Sequence, residues 1–225
     1  MNRFSQLVII GITGRMGSAV ADMATEFGFK VTEGVSRTGN SLENLNPKSC
    51  DIVIDFSLPE LTSQVIAWCV QNQKPLVSGV TGLQESAHND FAKASATIPL
   101  LWAPNMSLGV AVLKRALQQL KPLKDYDFQI EEAHHRNKKD APSGTAKALQ
   151  SALEKTLDRT LPEPISIRGG GIFGVHKVLA MGDDEVLSFE HTALSRRVFA
   201  RGALQAARWL LNRPPGLYQI DDILQ

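Results

Sequence analysis

The stretch from Leu7 to Gly17 constrains the fold more than any other. Leu-Val-Ile-Ile runs without a polar break, as in a strand buried on both faces. Gly-Ile-Thr-Gly-Arg-Met-Gly comes next, and Ser18 to Phe27 then carry apolar residues at helical spacing. A buried strand, a glycine turn and a helix begin a βαβ unit, which needs a parallel sheet covered by helices. The rest of the first half repeats the theme. Strands are expected at 30–35, 51–56, 75–78 and 99–102, with helices at 61–71 and 85–95 between them.

The pattern changes near residue 107. Ser107 is placed to cap a helix over 108–120, with Pro122 punctuating its end. A strand over 128–133 leads into a histidine-rich segment, and Ser143 opens a helix to about Leu157. Strands at 165–167, 175–181 and 186–192 then succeed one another with no helix between them, which points to a mixed or antiparallel sheet. The expected architecture is an α/β chain. Residues 1–107 form a Rossmann-type parallel-sheet domain, and 108–200 a substrate-binding α+β domain with a mixed sheet. A last helix, over about 201–211, returns to the first domain with the C-terminal residues 201–225.

Bulk properties exclude several classes. A formal net charge of +1 gives no support to a nucleic-acid partner or a membrane surface. No apolar run approaches bilayer length, and the first residues do not read as a signal peptide. Cys50 and Cys69 stand in no metal or redox spacing, so they read as reduced thiols of a cytoplasmic protein.

In its strand–turn–helix context the glycine turn reads as a dinucleotide site. Glycines let the backbone turn tightly and approach a pyrophosphate resting on helix amides. The spacing departs from the common fingerprint, because Ile12 occupies the first-glycine position. The second strand bears on which dinucleotide is bound. Where an acidic residue would take the ribose of NAD, the chain has Ser36 and then Arg37. Serine removes repulsion from a 2′-phosphate and arginine can pair with it, so NADPH is favoured while NADH stays open. Glu33 would serve as the acidic group only if the strand ended earlier. Two further loops, Gly79-Val80-Thr81-Gly82 and Ala103-Pro104-Asn105-Met106-Ser107, fall after later strands, where ligands of such sheets bind.

Residues 131–146 read Glu-Glu-Ala-His-His-Arg-Asn-Lys-Lys-Asp-Ala-Pro-Ser-Gly-Thr-Ala. They offer imidazoles that titrate near neutrality, fixed positive charge and a helix N-terminus, a combination suited to holding and protonating a small anion. Adjacent histidines on a strand point to opposite faces, which argues against a metal site built from His134, His135 and Glu131 or Glu132. Arg196 or Arg197 could hold a further carboxylate.

Together these segments resemble the 4-hydroxy-tetrahydrodipicolinate (dihydrodipicolinate) reductase family. The resemblance rests on Gly-Ile-Thr-Gly-Arg-Met-Gly, Val-Ile-Asp-Phe-Ser, Gly-Val-Thr-Gly, Ala-Pro-Asn-Met-Ser and, above all, the histidine segment. It implies hydride transfer from NAD(P)H to a cyclic dicarboxylate in lysine and diaminopimelate biosynthesis, by a homotetramer. It implies His134 and Lys138 as catalytic residues, and His135, Ser143, Gly144 and Thr145 as substrate-binding ones. Gly11, Ile12, Thr13, Gly14, Arg15, Met16, Gly79, Val80, Thr81, Ala103, Pro104, Asn105 and Met106 match the family's cofactor contacts. The chain departs from the family in being short after Arg37 and beyond Leu161, and in carrying Ser36 where many members have an acid. On the residues alone two other readings stand: an NAD(P)-dependent imine or aldehyde reductase of another pathway, and a non-enzymatic dinucleotide sensor.

Overall fold

The computed structural model describes residues 4–225. In chain order the first elements are β1 (Ser5–Ile10), α1 (Arg15–Met23), β2 (Phe29–Val35), β3 (Ile52–Asp55), α2 (Thr62–Gln71), β4 (Leu76–Ser78), α3 (Glu85–Ala94) and β5 (Pro99–Trp102). Then come α4 (Leu108–Leu117), β6 (Asp127–His134), α5 (Gly144–Leu157), β7 (Ile165–Arg168), β8 (Val175–Met181) and β9 (Val186–Thr192). The chain ends with α6 (Arg197–Leu210) and β10 (Gly216–Tyr218). The described residues divide into two compact units, one of residues 4–107 with 197–225 and the other of 108–196.

The first unit is a six-stranded sheet in the order β10-β5-β4-β3-β1-β2, with every pairing parallel. Leu7 to Ile10 and Ile52 to Ile54 have no solvent exposure, as a sheet covered on both faces requires. On one face Val8, Ile10, Val53, Leu76 and Leu100 join a core with Val65, Ile66 and Cys69 of α2 and Phe91 of α3. The other helical layer is formed by α1 and α6, which touch each other, and α6 also touches β3, β4 and β5. The buried face of α6 is mostly small, with Ala200, Gly202, Ala203, Ala206 and Ala207 beside Leu204 and Leu210, so its backbone comes close. A Cβ on Gly202 would stand 1.7 Å from the Met106 carbonyl oxygen.

Several boundaries differ from those expected of the sequence. The first helix starts at Arg15, earlier than Ser18, and gives way to a 3-10 turn at Ala24–Phe27. The α4 helix ends at Leu117 and passes into a 3-10 turn, Gln118–Leu123, that contains Pro122. The tighter turn tolerates the proline, so it does not mark the helix end. No strand is expected after the last helix, yet β10 is there. It exists because β5 otherwise leaves an unpaired edge, and three residues after Pro214-Pro215 suffice to cover it.

The second unit holds a mixed sheet in the order β7-β6-β8-β9, parallel between β6 and β7 and antiparallel elsewhere. Strict alternation in β6 and β8 sends Phe128, Ile130, Val178 and Ala180 to one face. They pack on Leu149, Leu153 and Leu157 of α5 and on Leu113 and Leu117 of α4. Each such leucine or isoleucine contributes about 1.5–3 kcal/mol by leaving water. Further along the same face the row turns polar, with Glu132 and His134 on β6, His176 on β8 and His191 on β9.

Candidate active site

In the first unit the sheet order reverses direction at β1, whose neighbours are β2 and β3. Ligands of such sheets sit outside the carboxyl ends of the strands at that reversal. Here the chain leaves β1 through Gly11, whose φ of +82° is a left-handed conformation that favours glycine. A Cβ on Gly11 would lie 2.7 Å from the Phe56 carbonyl oxygen, and one on Gly17 would lie 2.1 Å from the Gly11 oxygen. The turn is thus pressed between the end of β3 and the start of α1. Gly14 caps α1 without any side-chain cap hydrogen bond, so the cap residue itself leaves the first-turn amides available to an anion.

A cavity of about 510 Å³ opens beside this turn. Gly11, Thr13, Gly14, Ser36 and Arg37 line it, facing Leu42, Glu43, Phe56 and Leu58. Ile12 is not in its wall. Its side chain lies over Gly34, where a Cβ would come within 2.5 Å of Ile12 Cδ1. Arg15 and Met16, in the first turn of α1, also lie outside the wall. Because β2 runs to Val35, Ser36 and Arg37 stand just past the strand end. Glu33 lies within β2 and accepts hydrogen bonds from the Asn46 amide and the Ser49 hydroxyl.

The other two loops come after β4 and β5 and are tied to each other. The Trp102 indole donates to the Val80 carbonyl (3.1 Å), and the Ala103 amide to the Ser78 carbonyl (3.1 Å). Gly79 has the Phe56 ring where a Cβ would be, and its amide donates to Asp55 O (2.9 Å). Asn105 Oδ1 accepts from the Ser107 amide (2.8 Å), while Thr81 and Pro104 are exposed and Met106 is buried against Gly202. Gly79, Val80, Thr81, Ala103, Pro104, Asn105 and Met106 therefore share the carboxyl edge of the sheet with the cavity but do not line it.

In the second unit the polar end of the sheet centres on Glu132, whose side chain has no exposure. Arg168 donates to both of its oxygens, Nη1 to Oε2 at 2.8 Å and Nη2 to Oε1 at 2.6 Å. The Ser143 amide donates to Oε1 (3.1 Å), and His134 Nδ1 lies 2.5 Å from Oε2. Burial by itself would raise this carboxyl's pKa. The donors from Arg168, His134 and Ser143 outweigh it and hold the group down at about 2. Glu132 is therefore an anion, and the proton in its contact with His134 sits on Nδ1. The lone pair of neutral His134 is then on Nε2.

Burial lowers the His134 pKa. The Glu132 carboxylate opposes that shift, and the charges of Lys138 and Arg168 add to it. His176 packs edge-on against His134, with ring centroids 5.1 Å apart. Burial, helped by His134 and His191, brings the His176 pKa down to about 4, so it is neutral at pH 7. Lys138 forms an ion pair with Asp140 (2.9 Å). Ser143 caps α5 by accepting from the Ala146 amide (3.2 Å), and its hydroxyl lies 3.4 Å from His176 Nε2. Gly144 begins the helix with open space beside its Cα, and Thr145 is next in the first turn. His135, just past β6, is half-buried, and its carbonyl accepts from the Lys138 amide (3.0 Å). The Arg196 guanidinium lies 5.2 Å from the Phe173 ring, and Arg197 is 3.7 Å from Glu26 in the first unit.

His134, Lys138, Ser143 and Gly144 are thus gathered around one sheet end and one helix start. Sequence reasoning missed Arg168, His176, His191 and the pivotal place of Glu132. Only one signal was available for these: Glu132 and His134 are two residues apart on a strand and so share a face. The arginine and the other histidines arrive through strand register, which no local pattern specifies.

Two family models match nearly the whole chain. Residues 5–106 match the model described as dihydrodipicolinate reductase, N-terminus, and 109–224 the one described as dihydrodipicolinate reductase, C-terminus. The chain is 46% identical over 216 residues to 4-hydroxy-tetrahydrodipicolinate reductase of Bdellovibrio bacteriovorus, covering 96% of this chain and 94% of that one. It is 41% identical over 240 residues to the protein of the same name from Exiguobacterium sp., covering 97% and 95%. Among solved structures, dipicolinate-bound dihydrodipicolinate reductase from Paenisporosarcina sp. TG-14 has the same fold, with a TM-score of 0.78 at 19% identity over 98% of this chain and 99% of that one. The glycine turn, the polar sheet end and these matches agree: the chain belongs to the dihydrodipicolinate reductase family.

Proposed function

We propose that the protein reduces 4-hydroxy-tetrahydrodipicolinate to tetrahydrodipicolinate with NAD(P)H, in lysine and diaminopimelate biosynthesis. One observation carries the reading beyond family membership: an ionised, buried Glu132 holds His134 Nδ1–H, which leaves Nε2 as a proton-handling atom beside the Lys138 region and the α5 N-terminus. The residues around the glycine turn fit the nucleotide. The α1 N-terminus lacks a side-chain cap, the turn cannot accept a Cβ, and the cavity beside it is lined by Gly11, Thr13, Gly14, Ser36 and Arg37. Ile12, Arg15, Met16 and the loops Gly79–Thr81 and Ala103–Met106 complete the assignment at the same sheet edge. The bound nucleotide would supply a hydride, and the overall reaction also consumes a proton and releases the 4-hydroxyl as water.

The chain's own residues then have separate tasks. Lys138 gives positive charge for a dianionic ring. The start of α5 at Ser143, Gly144 and Thr145 receives a carboxylate, and His135 adds a contact. His134 Nε2 takes up and passes on the proton, a task suited to an imidazole that is neutral at pH 7. Asp140 holds Lys138 through the ion pair until a substrate carboxylate competes for it. Steady-state reduction of the pyruvate–aspartate semialdehyde condensation product tests the reading, and no turnover with that compound overturns it. His134→Gln or Lys138→Ala is expected to lower turnover at least tenfold, about 1.4 kcal/mol of barrier, with nucleotide binding unchanged.

NADPH is the preferred cofactor in this reading, because Ser36 and Arg37 both face the cavity and neither repels a 2′-phosphate. Arg37→Ala should weaken NADPH binding more than NADH binding, and equal weakening in titrations would remove the phosphate role. The assembly is proposed to be a homotetramer built on the open face of the second sheet. There Ile165, Ile167 and Val186 are 50%, 51% and 61% exposed. Sedimentation of wild type and Ile167→Glu checks this: a tetramer that the glutamate dissociates supports it, and a wild-type monomer refutes it.

A further inference from the structure

A carboxylate offers about four lone-pair positions to donors. At Glu132 all four are taken, by Arg168 Nη1, Arg168 Nη2, the Ser143 amide and His134 Nδ1. Those donors come from three separate segments: β7, the N-cap of α5, and β6 itself. Holding the sheet to the helix needs only Arg168 and Ser143. The remaining position goes to an imidazole ring at 2.5 Å, with no side-chain exposure at the carboxylate to screen the contact.

We propose that Glu132 is a positioning residue for His134, fixing its ring orientation and its Nδ1–H tautomer and tying that ring to the start of α5. The proposal rests on the reductase reading only in its kinetic test. Glu132 reaches His134 from two residues away on one face of β6, so neither ring nor carboxylate can turn without breaking the other's bonds. On the far side of the ring Gly174 leaves room. A Cβ there would come within 3.2 Å of His134 Nε2, so this glycine keeps the reactive nitrogen uncrowded.

The charged and titratable groups around the ring decide which of its charge states is favoured. Glu132 faces it from β6, Arg168 from β7 and His176 from β8, with His191 of β9 behind His176 and Lys138 in the loop after β6. Asp140 is engaged by Lys138. Glu132 thus favours the imidazolium, while Arg168 and Lys138 disfavour it. A purely structural clamp would make Glu132 and Arg168 equivalent, since loss of either breaks the same pair. A positioning role makes them opposite.

The test is imidazole 15N NMR on the full chain without ligands, with the His134 signals assigned by their loss in His134→Gln. In the wild type Nδ1 should carry the proton and Nε2 the lone pair at pH 7. Glu132→Gln should move the His134 titration to lower pH and admit the Nε2–H tautomer. Arg168→Gln should move it to higher pH and keep the Nδ1–H tautomer. In kinetics Glu132→Gln should lower kcat at least tenfold with nucleotide affinity unchanged, and Glu132→Asp, one methylene short, should recover little. A wild-type tautomer and titration in Glu132→Gln, or shifts of the same sign in the two variants, would overturn the proposal. If Glu132→Gln fails to fold, the Arg168→Gln shift decides: an unchanged or lowered titration refutes it. Because the spectra need no turnover, failure of the reductase reading and failure of this one leave different marks.

Discussion

The glycine-turn cavity of the first unit is shaped by backbone, whereas the polar sheet end of the second is shaped by side chains. Around Gly11, Gly14 and Gly17 the absence of Cβ atoms makes the site, and the nearest atoms are carbonyls of the turn and of the residue after β3. Around Glu132 the site is a set of donors brought from β6, β7 and the α5 cap onto one carboxylate. The two designs tolerate change differently. A backbone site fails sterically and at once. A side-chain site fails electrostatically and in proportion to pH.

The largest expected contrast is between two glycines. Gly17→Ala pushes a Cβ to 2.1 Å from the Gly11 oxygen and 2.8 Å from Ile12 Cα, where only backbone could yield. It should cost on the order of 1–3 kcal/mol of stability or more and abolish NAD(P)H binding, as read by thermal unfolding and nucleotide titration. Gly144→Ala meets nothing within 4 Å and replaces the poorest ordinary helix former. It should leave stability unchanged or higher and raise only the KM for the dicarboxylate. Equal loss of stability in both variants would break the comparison.

A smaller contrast lies in pH. In the second unit Glu132 titrates at about 2 when folded against an ordinary 4.5, and His176 at about 4 against 6.5. Both folded values are depressed, so the unfolded chain binds more protons in each interval. This stability is complete above pH 6.5 and is lost on acidification, first through His176 between 6.5 and 4, then through Glu132 between 4.5 and 2. In the first unit Asp55, fully buried at the end of β3, is raised by burial to about 6 from 3.8, against hydrogen bonds from Ser57. There the folded state binds the extra proton, so its contribution is present below pH 3.8 and is lost as pH rises to 6. Asp55→Asn should therefore gain stability relative to wild type as pH rises from about 4 to 7, by about 1–3 kcal/mol. All three tryptophans (Trp68, Trp102 and Trp209) lie in the first unit, so fluorescence reports its unfolding, and the NMR signals of His134, His135, His176 and His191 report the second. A single pH slope seen by both probes would show that the units do not respond separately.

Much of the first unit was legible because its signals are local. A β-branched run, three glycines at fixed spacing and a helical pattern lie close together in the chain, and each has a physical reason that needs no partner far away. The same holds for Ser143, whose capping of α5 stems from its place before an apolar helix. β10 was not legible. A strand of three residues carries no periodicity, and it forms only because β5 presents an edge to it. Glu132 was visible as a strand acid near histidines, but its partner Arg168 lies 36 residues on and meets it through the parallel register of β7 on β6.

By itself the sequence determined the alternation of strand and helix, the glycine turn, the family and the segment that carries the titratable chemistry, because backbone conformation and local periodicity are written residue by residue. Tertiary structure alone decided which groups meet. It set Arg168 and His176 beside Glu132 and His134, turned Nδ1 of His134 toward the carboxylate, and buried Asp55 with one carboxylate oxygen unpartnered. The reason is physical: a pKa or a tautomer depends on desolvation and on charges a few ångströms away, and strand register, not sequence distance, supplies those neighbours.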